Sequence, residues 1–379
     1  MRRTILQSEP ASAVFEVWRG AVPSWLAIAI LGLALGGVLG VAVVAASPAY
    51  VVGGLIGLVA ILVVFSDVRY GLIGLIGVVT LLPFVVVPVP IGVVKLTLVD
   101  LGVSSILLIW LLRLLSDRAF SFKSSGIDLP VVLFLGVCLT SFVLGTSYME
   151  TAADARLFVK LFMAIILLFA VVGCVGDVTT LRTLVTCLAA GGSIAGGIAI
   201  WLYYLPAATA TQLLAGLSRF GYPETDILQY DANTKVLKAI GTSIDHNILG
   251  ATLMMCGAIA VGLIVAPETG RRRPWLVAGL AVTIVALLLT YSRGSLFGFL
   301  VGCAVIATLR YRKLWLVAGI IVVAIALIPQ LAQSSFLTHV ETGLAVQDQA
   351  TQMRFGEYKD AFRLILAYPI FGVGFGSAP

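Results

Sequence analysis

The sequence predicts an all-α, polytopic integral membrane protein with about eleven transmembrane helices and two long extracytoplasmic loops. Three observations carry that prediction. Only 11% of the 379 residues are charged while 60% are hydrophobic, against roughly 25% charged in an ordinary soluble domain. The mean hydropathy is +1.10, more apolar surface than a water-soluble fold can hide. Runs without Asp, Glu, Lys, Arg or His, such as Ala21 to Ser66, Gly71 to Val94, Thr183 to Ser218 and Leu314 to Thr338, each reach the roughly 20 apolar residues that cross a bilayer.

Spans are expected near 24–46, 49–65, 71–90, 98–115, 129–147, 157–175 and 181–204, which form an N-terminal bundle over 1–204. An extracytoplasmic loop follows over 205–246. Helices near 247–266, 275–291, 295–309 and 314–332 make up 247–332, and 333–379 opens a large extracytoplasmic loop with an interfacial helix. The first span follows Met1-Arg2-Arg3, yet its apolar run far exceeds the roughly 7 to 15 residues of a signal-peptide core. It reads as a retained helix.

Loop charges give the orientation. With the N-terminus cytoplasmic, alternate loops receive Arg2, Arg3 and Arg19; Arg69; Arg113, Arg118 and Lys123; Arg182; Arg271, Arg272 and Arg273; and Arg310, Arg312 and Lys313. Short cytoplasmic loops collect Lys and Arg in this way. The net charge of +6 therefore reports topology, not nucleic acid. The five cysteines, Cys138, Cys174, Cys187, Cys256 and Cys303, all fall in spans without paired spacing, so packing is their expected role.

Soluble-enzyme motifs are missing: the sequence has no Gly-Lys-Ser/Thr phosphate loop, no His-Glu-x-x-His, no Cys-x-x-Cys and no Asp-x-Asp. No metal site or cofactor is expected, and phosphate, if handled, falls to arginine. In Tyr291-Ser292-Arg293-Gly294 an arginine is wedged between two apolar spans. A guanidinium there suits bidentate binding of a phosphate or diphosphate, although an arginine at a rim also snorkels to lipid headgroups.

A second candidate is Gly241-Thr242-Ser243-Ile244-Asp245-His246-Asn247, at the outer entrance of the eighth span. It reads equally as a helix N-cap. His246 titrates near neutrality and is a candidate proton acceptor. Upstream, Arg219, Tyr222, Glu224, Asp226, Tyr230, Asp231, Lys235 and Lys238 mix aromatic and charged groups as sugar-binding surfaces do. Arg219 is the second candidate phosphate contact; Arg156 and Lys160, at the start of the sixth span, follow.

In the last segment Phe355, Tyr358, Phe362 and Ile365 recur at helical spacing, which predicts an amphipathic helix on the outer membrane surface. Pro369 stops it. Arg354, Tyr358 and Arg363 are candidate substrate contacts, as are Gly372 and Gly374, whose backbone can approach a ligand or another element closely.

Taken together, Gly241-Thr242 with Asp245-His246-Asn247, then Ser292-Arg293-Gly294, then Arg354, Tyr358 and Tyr368-Pro369-Ile370-Phe371-Gly372-Val373-Gly374-Phe375-Gly376, resemble the bacterial O-antigen ligase and O-antigen polymerase superfamily of membrane glycosyltransferases. The likeness covers roughly 215 to 379. It implies transfer of a glycan from undecaprenyl diphosphate to an acceptor glycan, on lipid A core or on a lipid-linked chain, without metal or nucleotide, in the bacterial inner membrane. Arg293 matches the family arginine; Arg219 and Arg354 are looser carry-overs. The family pattern continues to a histidine near an asparagine and further helices, so the resemblance also implies a C-terminal truncation at Pro379, with the general base beyond it.

Two other readings compete. A polysaccharide or lipid-carrier transporter or flippase fits the span number, but it calls for ionisable groups near the midplane, and here they gather at span ends. A peptidoglycan-polymerising membrane glycosyltransferase shares the chemistry and depends on an outer acidic residue, for which Asp226, Asp231 and Asp245 are the candidates.

Overall fold

The computed structural model describes residues 67–87, 96–116, 122–146, 152–224, 227–231, 235–312, 315 and 349–375. Spans expected at 24–46, 49–65 and 314–332 lie outside these residues except at Trp315, as do Asp226 and His339. The described elements are α1 (Val68–Leu81), α2 (Leu98–Ser116), α3 (Asp128–Leu144), α4 (Ala152–Cys174), α5 (Val178–Tyr204) and α6 (Ala207–Ala215). They continue with β1 (Gln229–Tyr230), β2 (Leu237–Lys238), α7 (His246–Val265), α8 (Arg273–Leu289), α9 (Arg293–Leu309) and α10 (Gln349–Ala367).

Eight of the expected spans are present as helices, and five of these are long and apolar enough to cross a membrane; α1, α3 and α9 are shorter apolar helices. One boundary differs from expectation. The span expected over 71–90 ends at Leu81, because Pro83 has no N–H to donate and forces Leu82 out of the α region. The chain then turns back, with Val86 bridging to Thr97 in antiparallel fashion. The expectation of an all-α chain is also modified: β1 and β2 pair antiparallel, Gln229 with Lys238 and Tyr230 with Leu237.

α5 is the central helix, packing on α1, α7 and α8. Its contact face carries Gly191, Gly192, Ala195, Gly196 and Ala199. Small residues let helix backbones approach closely where lipid supplies no hydrophobic drive between helices. A Cβ on Gly191 would lie 2.5 Å from Thr80 Oγ1, one on Gly196 would lie 3.2 Å from the Ala286 methyl, and the space beside Gly192 is filled by Cys256. Two cores result. Val68, Leu72, Leu75, Val103, Ile106 and Ala170 join α1, α2 and α4, while Ala199, Leu249, Leu253, Ala286, Leu287 and Phe299 join α5, α7, α8 and α9.

The outer faces of these helices stay apolar. On α3, Leu129, Leu133, Phe134 and Val143 are all more than half exposed, far beyond what a soluble monomer tolerates as a continuous patch. A bilayer is the solvent these faces fit.

The helices alternate in direction, so their ends form two faces. One face gathers the ends of α1, α5 and α7 that carry Arg69, Asp177 and Arg271–Arg273; Asp177 caps α5 through the Thr180 amide at 2.7 Å and meets Arg69 at 3.4 Å. The opposite face gathers residues 205–245 and the starts of α7 and α9. There Thr242 donates to the Leu81 carbonyl at 2.5 Å, Val86 to Phe220 at 2.8 Å and Ala239 to Leu289 at 2.9 Å.

Candidate functional site

On this second face the stretch 205–245 is a structured cap. Leu202, Leu214, Ile227 and Ile240 bury together beneath it. Asp231 and Lys238 form an ion pair of 3.3 Å whose side chains are 6% and 14% exposed, so both belong to the scaffold. Tyr222 is buried, and burial pushes its phenol up to about 12. Of the mixed surface expected here, Arg219, Glu224, Tyr230 and Lys235 remain exposed. Arg219 lies on the 3-10 turn Ser218–Phe220, fixed through the Phe220 carbonyl bond to Val86.

The cap delivers the chain to α7. Asp245 is its N-cap, accepting from the Asn247 amide at 2.7 Å and the Ile248 amide at 3.1 Å. Burial works against the Asp245 charge. The amides of Ile248 and Asn247, the neighbouring His246 and the Gln229 amide outweigh it and hold the carboxyl below its usual range.

Gln229 in β1 connects to both residues: its Nε2 donates to Asp245 Oδ2 at 3.4 Å, and its Oε1 lies 2.6 Å from His246 Nδ1. With Nε2 committed to Asp245, Oε1 faces the imidazole and can only accept. Assigned from that network, the proton of neutral His246 sits on Nδ1 and its Nε2 keeps a free lone pair. Gln229 escaped the sequence reading, since it stands 17 positions from its partner on a two-residue strand with no motif around it.

The second candidate motif lands beside the first. α8 ends at Leu289, and α9 begins at Arg293 after only Thr290, Tyr291 and Ser292. Ser292 occupies the N-cap position of α9 without a capping bond; its hydroxyl instead donates to Asn247 Oδ1 at 3.1 Å and meets Ser295 Oγ at 3.0 Å. Gly250 makes room, since a Cβ there would lie 2.7 Å from Ser295 Oγ. Both connections are strained, with Ile244 at φ 62 and Tyr291 at φ 52. A β-branched or bulky residue in the left-handed region costs energy that surrounding structure must hold in place.

The half-buried Arg293 therefore sits in the first turn of α9, next to the first turn of α7. Helix N-termini carry partial positive charge; at α7 the Asp245 carboxylate already meets it, whereas at α9 the N-cap Ser292 makes no capping bond. Arg354 of α10 comes near enough for its charge to act on His246.

The remaining candidates divide. The Arg156 side chain, in the first turns of α4, is half-buried, and its Nε is buried without a hydrogen-bond partner. Lys160 is committed to Asp100 at 2.8 Å, tying α4 to α2. Arg363 pairs with Asp360 on its own helix at 3.1 Å, and Tyr358 stands exposed against Phe355. Gly374, at φ 91, packs its backbone on Gly145, and a Cβ on it would lie 2.7 Å from the Gly145 Cα. Gly372, at φ 66, faces Ser141. In this geometry both glycines serve a close helix-to-turn contact with α3. No group of His, Cys, Asp and Glu suited to a metal occurs among the described residues.

Residues 278–379 match the family model described as O-Antigen ligase, which bears out the resemblance over the segment holding Ser292-Arg293-Gly294, Arg354 and Gly372 to Gly376. No curated protein and no solved structure matches the chain.

Proposed function

We propose that the protein transfers a glycan from undecaprenyl diphosphate to an acceptor sugar at the extracytoplasmic face of the bacterial inner membrane, with its N-terminus cytoplasmic and about eleven spans in all. The acceptor is lipid A core or another lipid-linked chain. The observation that supports this reading is the Ser292–Asn247 hydrogen bond, which joins the start of α9, where the arginine of the matched segment stands, to the start of α7, on the face opposite the Arg69 and Arg271–Arg273 loops.

The chemistry is a displacement at the anomeric carbon. The acceptor oxygen forms the new C–O bond, the bond to the diphosphate breaks with its electron pair leaving on oxygen, and the acceptor proton passes to a base. Negative charge grows on the leaving diphosphate, and a prepositioned guanidinium stabilises that charge more in the transition state than in the ground state. Arg293 takes this role, with Arg219, Arg354 and Arg156 as further contacts along the donor. Within the described residues the proton acceptor is His246, whose Nε2 lone pair Gln229 and Asp245 hold in orientation; the histidine that the resemblance puts beyond Pro379 is the alternative acceptor.

The test uses the full chain in nanodiscs with a lipid-linked oligosaccharide and an acceptor. Arg293→Ala is expected to lower transfer by about 100-fold or more, the size of a lost charge-stabilising donor, while insertion into the membrane is unchanged; Arg293→Lys retains part of it. Undiminished surface polysaccharide in cells carrying Arg293→Ala would sink the proposal. A carrier-flipping assay in liposomes separates it from transport, since a transferase moves no carrier across the bilayer.

A further inference from the structure

Helix α10 is unlike the others. Polar and charged residues recur along it from Gln349 to Arg363, and nearly every described position is exposed, on all sides. Phe355, Tyr358, Phe362, Ile365 and Leu366 are each more than half exposed. At about 100° per residue these five fall on one stripe. Arg354 borders the stripe on one edge and Lys359 on the other, whereas Glu357 and Asp360 stand on the far side.

The surroundings of its two ends indicate the height at which the helix runs. Toward its start, the Arg354 charge reaches His246, the first residue of α7. Beyond its end, Gly374 packs on Gly145, the C-cap of α3, and Phe375 meets the Phe158 ring of α4 edge-on at 5.8 Å. His246 and Gly145 lie where apolar helices terminate, and Phe158 lies in the second turn of α4. A helix of 19 residues, about 28 Å long at 1.5 Å per residue, thus starts within electrostatic reach of the α7 N-terminus and is anchored beyond its end at the C-cap of α3.

We infer that α10 lies in the outer membrane interface, with Phe355, Tyr358, Phe362, Ile365 and Leu366 in the acyl boundary and Lys359 reaching the lipid phosphates. The occupant of the stripe is the bilayer, on three grounds. The helix runs at bilayer-surface height, its cations flank the apolar stripe as snorkelling side chains do, and its carboxylates face away from anionic headgroups. This placement is independent of the glycan chemistry proposed above. It gives the segment 349–375 a second attachment besides its contacts with α3 and α4.

The test is photocrosslinking in the full chain, reconstituted in nanodiscs of phosphatidylethanolamine and phosphatidylglycerol. Benzoylphenylalanine is placed at Phe362 on the stripe, at Asp360 on the far side, and at Leu133, an exposed apolar position of α3, as the lipid-facing reference. After illumination, intact-protein mass spectrometry reads addition of one phospholipid. The yield at Phe362 is expected to match that at Leu133 and to be lost at Asp360. A Phe362 yield no higher than that at Asp360 overturns the inference, and so does a crosslink from Phe362 to protein, which would make the stripe a docking face for a polypeptide.

Discussion

The Ser292 hydroxyl donates to Asn247 Oδ1 across 3.1 Å, joining two helix starts that are 45 residues apart in the chain. Ser292 is buried, and it gives up the capping bond that its position in α9 would favour. Replacing one partner strands the other, at a cost of about 1–3 kcal/mol. Ser292→Ala and Asn247→Ala are each expected to destabilise by that order in reversible unfolding from mixed micelles. The double variant should lose clearly less than the sum. Strict additivity would show that the bond does not couple the helices.

Asp245 makes the cap of α7 sensitive to acid. Its folded carboxyl is held below the ordinary value of 3.8, so the stabilisation is complete above the unfolded value and is lost as pH falls through the folded one. At neutral pH, Asp245→Ala should cost about 1 kcal/mol, and Asp245→Asn much less, since Asn is as good an N-cap. Thermal melts from neutral pH into acid should show the gap between the wild type and Asp245→Ala constant above 3.8 and narrowing as pH falls below it. A constant gap across the series would assign the loss to something other than the carboxylate.

Gln229 acts through His246. Gln229→Leu removes the acceptor for the Nδ1 proton and frees the ring to take the other tautomer. If His246 moves the acceptor proton, the variant should lower kcat by about 10- to 100-fold, at the modest end for proton transfer, with KM for both glycans little changed. A rise in KM at constant kcat would instead place Gln229 in substrate binding.

Lys160 was an attractive substrate contact in the sequence, and the structure commits it to Asp100 at 2.8 Å. Lys160→Met leaves the Asp100 carboxylate, 14% exposed, without its partner. Breaking a largely buried pair in this way costs up to about 3–5 kcal/mol. Asp100→Asn combined with Lys160→Met should recover most of the stability and also the transfer activity. Activity that stays lost while stability returns would make Lys160 a substrate contact after all.

Apolar run length determined the helices. α2, α3, α4, α5, α7, α8 and α9 begin and end within a few residues of expectation, because a bilayer admits backbone only when its hydrogen bonds close within the segment. That constraint is local and can be read from composition. The exception, α1, stops early at Pro83, a local signal overridden in the reading by the apolar residues beyond it. The nearness of Asp245, His246 and Asn247 to one another was equally legible, being contiguous.

What the sequence could not determine is which groups from different elements meet. Gln229 with His246, Asn247 with Ser292, Lys160 with Asp100 and Gly145 with Gly374 are pairs from different elements, brought together only by the packing. Gly250 lets the starts of α7 and α9 approach, Gly374 lies against Gly145, and the α5 face of Gly191, Gly192 and Gly196 sets how closely α1, α7 and α8 pack on α5. Their effect exists only once the helices are packed, since a missing side chain has no consequence until another helix fills its place.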